Sequence, residues 1–200
     1  MKILCACEES QIVTLALREL GHEAYSCDIK PCSGGFPEFH LMCDVIPLLS
    51  EFWDMIIAFP PCTYLSFAGN RHLNQPSRLE KRLAAADFFM KFVNAPCEHI
   101  AIENPVGYMN SVYRRPDQII HPYYFGDPFM KRTCLWLKNL PQLYPTNTLK
   151  RPEPMYVQSN GKKRYWVDTV SSSDRQSIRS KTFPGIAAAM AFQWTHNFYI

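Results

Sequence analysis

The stretch WDMIIAFPPC, residues 53–62, places a cysteine directly after a short apolar run and two prolines. The run from Met55 to Phe59 predicts a buried strand, and the prolines predict that the chain turns there, because proline cannot extend a central strand. Ligands of open parallel sheets bind beyond the carboxyl ends of the strands. Cys62 is therefore a candidate nucleophile, although a lone cysteine is also often a small buried apolar residue.

A second apolar run ends in a similar way. Residues 100–105 read IAIENP, so that a strand ends at the carboxylate of Glu103 and the amide of Asn104. Glu103 could simply cap a turn. A thiol and a carboxylate at neighbouring strand ends instead predict covalent chemistry on a ring that also needs a proton donor.

Apolar runs alternate with amphipathic stretches along the chain, which predicts an α/β fold with a doubly wound, mostly parallel sheet. The 200 residues fit a single domain spanning 1–200, with residues 141–174 as an irregular insertion rich in Pro, Ser and Lys. Residues 78–94 carry the clearest helical pattern, with Leu79, Leu83, Ala86, Phe89 and Val93 expected on the buried face.

Composition bounds the class of protein. A net charge of +3 and a pI near 8.4 permit a polyanionic partner without requiring one. The eight cysteines include no Cys-x-x-Cys pair, so we expect reduced thiols in a cytoplasmic protein and no metal site. No run approaches the roughly 18 apolar residues of a membrane helix, which predicts no membrane partner.

The loop Cys7-Glu8-Glu9-Ser10 lies between the first predicted strand and the first helix, where a nucleotide-type cofactor meets a helix N-terminus. Its two acids would repel a phosphate but would tolerate a cofactor with an ammonium group, such as S-adenosylmethionine. The same acids could simply favour the helix dipole, and Ser10 is a plausible N-cap.

Two further acids follow predicted strands. Asp28 ends the second strand, where an acid accepts hydrogen bonds from ribose hydroxyls in nucleoside-binding folds. Asp44 lies in the third predicted strand and could meet an adenine amino group. A solvated loop acid or a helix cap is the structural alternative for Asp28.

Basic residues interleave with aromatic residues on either side of Glu103. Such a pattern can hold phosphates and stack a base, although it is also common on ordinary protein surface. The candidates for contact with the substrate are Arg71, His72, Arg114, Lys131 and Arg132.

In this order, these elements resemble the DNA cytosine-5 methyltransferases, particularly the small phage-encoded relatives. Pro61-Cys62 matches the family's nucleophile motif, and Glu103-Asn104 matches its Glu-Asn-Val motif, with Pro105 in place of valine. Asp28 and Asp44 match the acids near the ribose and the adenine. Residues 182–186, TFPGI, look like the family's closing segment, which returns to the cofactor site.

The resemblance implies a Rossmann-like class I methyltransferase fold that binds S-adenosylmethionine and acts on cytosine in DNA. It implies that Cys62 adds to C6 of the base and that Glu103 holds N3 and the amino group. A cation, Arg71 or Arg132, would favour the thiolate. Pro60 is expected beside the cofactor, and Pro61 and Asn104 beside the base.

Two features differ from the family pattern. The family's first loop reads Phe-x-Gly-x-Gly, whereas this loop has no glycine, and only 63 residues follow Leu137, too few for a typical target-recognition domain. The expected substrate is therefore DNA, possibly single-stranded, or a cytosine nucleotide. The alternatives are a pyrimidine-modifying enzyme with altered cofactor use and a catalytically decayed nucleic-acid-binding protein.

Overall fold

A seven-stranded sheet organises the molecule, which a computed structural model describes for residues 1–67, 70, 74–166 and 181–196. In chain order, the strands are β1 (Lys2–Ala6), β2 (Glu23–Asp28), β3 (His40–Met42), β4 (Met55–Ala58), β5 (His99–Pro105), β6 (Gln118–Ile120) and β7 (Thr133–Lys138). A separate hairpin pairs β8 (Tyr156–Val157) with β9 (Lys163–Arg164). The helices are α1 (Ile12–Glu19), α2 (Val45–Leu48), α3 (Arg78–Val93), α4 (Met109–Val112) and α5 (Pro184–His196).

The strand order is β3-β2-β1-β4-β5-β7-β6. The first five strands are parallel, and β7 runs antiparallel between β5 and β6. The order reverses beside β1, which is the switch point of doubly wound folds. The predicted α/β class with a mostly parallel central sheet is confirmed.

The sheet separates two apolar layers, because successive side chains of a strand point to opposite faces. One layer holds α3, whose Phe89 and Phe92 pack with Ile56 and Trp136. The other layer holds α1 and α5, which pack together over Ile3, Met55 and their neighbours. Because β1 to β5 are parallel, their carboxyl ends all lie at one edge of the sheet.

The N-terminus of α1 differs from the prediction. Ser10 does not cap it, because the preceding turn brings Glu8 back, and its carboxylate accepts from the backbone N–H groups of Val13 (2.6 Å) and Thr14 (3.2 Å). This anchoring turns Val13, Thr14 and Leu17 inward.

The buried face of α3 also differs. Leu79 and Leu83 are 59% and 48% exposed, whereas Arg82 is only 4% exposed and shares the inner face with Ala86 and Phe89. This face turns inward where Arg82 donates to the carbonyl of Tyr64 and to Oδ1 of Asn70 in the loop beneath the helix.

Two regions contain more structure than the sequence pattern indicated. Residues 118–120 form the edge strand β6 within a stretch expected to be irregular. The hairpin β8–β9 lies within the predicted irregular insertion, whose residues 167–174 lie outside the described part.

The third strand ends at Met42, so that Asp44 is the N-cap of α2 instead of a strand residue.

Candidate active site at the carboxyl edge of the sheet

The turn that carries Cys62 follows β4, the central strand of the sheet. The N–H of Phe59 still donates to the carbonyl of Ala6 (2.9 Å), and the ladder stops at Pro60. The carbonyl of Cys62 accepts from the N–H groups of Leu65 (3.1 Å) and Ser66 (2.9 Å), so the chain curls immediately after the thiol. Cys62 is half-buried at this edge, with Pro60 buried and Pro61 exposed before it.

Asn104 fastens the end of β5 to this turn. Its side-chain Nδ2 donates to the carbonyl of Pro60 (2.7 Å), and the residue is 1% exposed. Ala58 is the partner of Ile102 in the parallel ladder, so Glu103 lies one residue further on, beside Phe59. The structure therefore brings the Glu103 and Cys62 segments together at the same edge.

Glu103 is a buried carboxyl group. Burial raises its pKa above the ordinary value, while the charge of Lys131 and a hydrogen bond with Thr133 oppose that shift. Both residues reach it because β7 pairs antiparallel with β5, with Glu103 opposite Leu135. A carboxyl group in this setting retains its proton to higher pH and can donate it to a ring nitrogen.

The loop after Cys62 is held by close backbone approach. The carbonyl of Leu65 accepts from the N–H of Tyr108 (2.7 Å), and Ser66 pairs with Gly107. A Cβ on Gly107 would lie 2.1 Å from the carbonyl oxygen of Leu65. Only glycine fits at this contact.

Two arginines of α3 hold the same loop. Buried Arg82 donates through Nε to the carbonyl of Tyr64 (2.9 Å) and through a terminal nitrogen to Oδ1 of Asn70 (2.7 Å). Arg78 donates to the carbonyl of Thr63 (3.1 Å) and stacks over the Tyr64 ring. Neither these two arginines nor Gly107 was predicted from the sequence. The available signal was Arg82 itself, a charged residue in line with Ala86 and Phe89.

The basic residues predicted to contact the substrate do not form a single cluster among the described residues. Lys131 lies beside Glu103 and over the ring of Phe183, with Nζ 5.8 Å from its centroid. Arg132 is exposed. Burial lowers the pKa of His121 and the charge of Arg132 adds to that shift, whereas burial raises the pKa of Cys134 against the charge of Arg132. Its predicted effect on the Cys62 thiolate stays a prediction. Arg71 and His72 lie outside the described residues.

Arg114 makes structural contacts, and its predicted contact with substrate stays a prediction. It forms an ion pair with Asp117 (2.8 Å) and donates to the carbonyl of Leu137 (3.3 Å), opposite the amino-terminal half of β5. These partners face away from the Cys62 edge.

The first loop and the ends of β2 and β3 form an acidic corner. The charges of Asp28 and Asp44 act on the thiol of Cys7 and, together with burial, raise its pKa. Oδ1 of Asp28 accepts from the N–H of Lys30 (3.0 Å), and Oδ1 of Asp44 accepts from that of Ile46 (3.0 Å). Cys7 itself has a φ of 60°, the left-handed conformation at which glycine is common.

The two acids of the first loop are not equivalent. The carboxylate of Glu8 is 4% exposed and is occupied at the N-terminus of α1, with Thr14 Oγ1 as a further donor (2.7 Å). Its side chain thus has the structural alternative role and cannot face a cofactor. Glu9 is half-buried, and its carbonyl accepts from the N–H of Ser33 (2.8 Å). Buried Ser10 lies under Gly34, so the 31–37 loop covers this turn.

Three aromatic side chains, the aromatic group, lie on the other side of the Cys62 turn from the acidic corner. The rings of Phe129 and Phe183 lie 5.1 Å apart, and Trp166 packs on Phe129 at 4.8 Å. The residues that precede α5 thereby return to Lys131 and, through it, to Glu103. The predicted return of residues 182–186 to the cofactor site stays a prediction.

Comparison with known proteins returns no matching family model and no matching curated protein. Among the described residues, no three His, Cys, Asp or Glu side chains are placed to share a metal ion. None of the described helices has the length and apolar composition that crossing a membrane requires.

Proposed function

We propose that this protein transfers a methyl group from S-adenosylmethionine to C5 of cytosine in DNA, through a transient bond between Cys62 and C6 of the base. One observation carries the proposal. The hydrogen bond from Asn104 to the carbonyl of Pro60 (2.7 Å) joins the strand end bearing a buried carboxyl group to the turn bearing a thiol. Cytosine methylation at C5 needs these two groups on the same base.

The sheet is compatible with this reaction. Its order follows the doubly wound pattern through β5 and departs from the dinucleotide-binding order by an antiparallel strand between β5 and β6. That departure resembles the sheet of class I methyltransferases. The strand order thus supports the finer fold assignment that the sequence motifs suggest.

The proposed chemistry uses Cys62 and Glu103 in turn. Attack by the thiolate on C6 forms the S–C6 bond and moves the C5–C6 π electrons into the ring, so that C5 becomes nucleophilic. Glu103 donates its proton to N3 and accepts a hydrogen bond from the exocyclic amine, which stabilises the charge that develops on the ring. After C5 is methylated, loss of the C5 proton to water, return of the N3 proton to Glu103 and departure of the thiolate from C6 restore the aromatic base.

The acidic corner fits S-adenosylmethionine, which supplies an electrophilic methyl group on a sulfonium. Asp28 and Asp44 are acceptors at adjacent strand ends, suited to ribose hydroxyls and an adenine amine. Their charges also favour a cation. Glu9, Ser10 and the backbone of Cys7 and Glu8 complete this corner, and Pro60 separates it from the base.

The test is covalent trapping. Wild-type protein, S-adenosylmethionine and an oligonucleotide containing 5-fluorocytosine should give a stable adduct, because fluorine at C5 blocks the loss that releases Cys62. Mass spectrometry should place the adduct on the peptide that contains Cys62. Cys62→Ser should form none, whereas Cys97→Ser, a control at the opposite edge of the sheet, should trap normally.

A cytosine nucleotide is the second candidate substrate. After β7, the described residues form the short hairpin β8–β9 and the helix α5, and these two elements offer little surface to select a duplex target. Adduct formation with 5-fluoro-2′-deoxycytidine monophosphate, and none with the oligonucleotide, would assign the free nucleotide. Absence of any adduct at Cys62 with both substrates would refute the covalent mechanism.

A further inference from the structure

The hairpin segment, residues 147–166, concentrates the positive charge of the chain. It contains five basic residues and one acid, a net charge of +4, whereas the whole chain carries +3. The other 180 residues therefore have a net charge of −1. Charge of one sign on so short a segment attracts a polyanion to that place.

The hairpin is well defined but uncovered. Tyr156 pairs with Arg164 and Val157 with Lys163, and Gly161, with a φ of 77°, lies in the connecting turn. Tyr156 and Val157 are 52% and 54% exposed, and Met155 before them is 63% exposed. An isolated two-stranded hairpin is only marginally stable in water, so large apolar side chains on both of its faces favour a bound partner.

Both ends of the segment are attached beside the candidate active site. At one end, the N–H of Leu149 donates to the carbonyl of Tyr123 (2.8 Å), and that of Asn147 to the carbonyl of Tyr124 (3.2 Å). At the other end, Trp166 packs on Phe129, which packs on Phe183 under Lys131. The hairpin therefore projects from the corner that holds Glu103.

We propose that the hairpin β8–β9 binds nucleic acid, with Lys162, Lys163 and Arg164 on phosphates and Tyr156 stacked on a base. This proposal rests on the proposed function only for the choice of DNA as the polymer. Each cross-strand pair sets a cation beside an apolar side chain, so that a phosphate and the face of an unstacked base can be bound side by side. The contacts are to backbone and base face, so they give affinity with little sequence preference.

The test measures binding by fluorescence anisotropy and is independent of turnover. Labelled duplex DNA, single-stranded DNA and RNA of the same sequence are titrated with protein over a range of salt concentrations. Lys162→Gln and Lys163→Gln should each reduce the logarithmic salt slope on duplex DNA by about 0.9, and the double variant by about 1.8. Lys91→Gln, on the exposed side of the last turn of α3, is the charge-matched control and should leave the slope unchanged.

The aromatic contact has its own prediction. Tyr156→Ala should weaken binding to single-stranded DNA by about 5- to 150-fold, and Tyr156→Phe should restore it, because stacking needs only the ring. These side chains are exposed, so the variants should keep the wild-type circular dichroism spectrum and melting temperature.

The outcomes separate this proposal from the proposed function. If the salt slope falls in the hairpin variants while no methyl transfer is found, the hairpin binds nucleic acid and the enzymatic assignment fails. If methyl transfer occurs but the hairpin variants bind like wild type, the hairpin proposal is wrong. Binding to vesicles of anionic lipid but to none of the three polymers at low salt would overturn it as well.

Discussion

The two corners of the carboxyl edge differ in the sign of their charge and in the kinds of side chain that they carry. On one side of the Cys62 turn, the ends of β1, β2 and β3 present Asp28 and Asp44 around the Cys7 thiol. On the other side, the end of β5 and the chain that leads into β7 present Lys131 and the aromatic group, with the basic hairpin beyond. The acidic corner suits a small ligand that carries hydroxyls and a positive charge, and the basic corner suits a polyanion. The central strand β4 delivers the thiol between them.

Replacing the carboxyl group of the basic corner should have the largest effect. Glu103→Gln should lower methyl transfer by about 10²- to 10⁴-fold, the range for loss of a general acid. Cofactor affinity should stay unchanged, because Glu103 belongs to the other corner. Single-turnover methyl transfer and calorimetry with S-adenosylhomocysteine measure the two quantities. An equal loss in both would erase the distinction between the corners.

The same group predicts a pH dependence. Burial raises the pKa of Glu103, so its proton-donating form persists to higher pH than that of a free carboxyl group. Activity should be present below the folded-state pKa and should fall as pH rises through it. Lys131→Gln removes the cation that lowers the pKa of Glu103. The fall in activity should therefore move to higher pH, which a profile of kcat/KM against pH would show.

A methyl group placed against the loop that follows Cys62 should cause the next largest loss of turnover. Gly107→Ala sets a Cβ 2.1 Å from the carbonyl oxygen of Leu65 and forces the Cys62 loop to move. A displacement on the order of 1 Å at a reacting group costs about 10²-fold in turnover. Gly21→Ala, where a Cβ would meet nothing within 4 Å but the φ of 82° strains an alanine, is the control for replacing a glycine away from the Cys62 edge. Similar turnover in both variants would show that the loop position does not matter.

The N-terminus of α1, beside the acidic corner, should respond to pH through Glu8, whose carboxylate is bound there. Burial raises its pKa from 4.5 to about 7, against hydrogen bonds from Val13 and Thr14 that lower it. A raised carboxyl pKa contributes stability that is present below pH 4.5 and is lost as pH rises through about 7. The free energy of unfolding should therefore fall by on the order of 3 kcal/mol across this window. Glu8→Gln should flatten that part of a urea-unfolding series, and an unchanged slope would contradict the prediction.

The smallest effect should come from the ribose-binding acid. Asp28→Ala should weaken the binding of S-adenosylmethionine by about 1–3 kcal/mol, the cost of a lost charge-assisted hydrogen bond. Nucleic-acid affinity should not fall, because Asp28 lies in the acidic corner. Calorimetry with the cofactor and anisotropy with DNA separate the two. A loss of DNA binding alone would reverse the assignment of the corners.

Local pattern was enough to predict the strand ends. The apolar runs before Pro60 and Pro105 are short and sharply bounded, and β4 and β5 form there. Alternation of strands and helices likewise predicted the parallel part of the sheet. Strand β6 was missed because only three residues, without alternation, make it, and their pairing depends on β7.

The supports of the site depend on contacts that no local pattern contains. Gly107 is required by the carbonyl of Leu65, 42 positions earlier in the chain. Arg82 is buried because it meets the carbonyl of Tyr64, whereas a charged helical residue is ordinarily assigned to the solvent face. Ser10 was a reasonable cap by residue type. The turn at Cys7, with its φ of 60°, brought Glu8 there instead.

The packing of α5 on α1 constrains how the chain can fold during synthesis. Val13 and Leu17 of α1 share an apolar layer with Met190 and Trp194 of α5, which emerges from the ribosome about 165 residues later. At about 5–20 residues per second, α1 waits roughly 8–33 s for this partner. During that interval, one face of the nascent sheet stays uncovered. A nascent chain stalled before Pro184 should therefore bind chaperones that a chain released after His196 no longer needs.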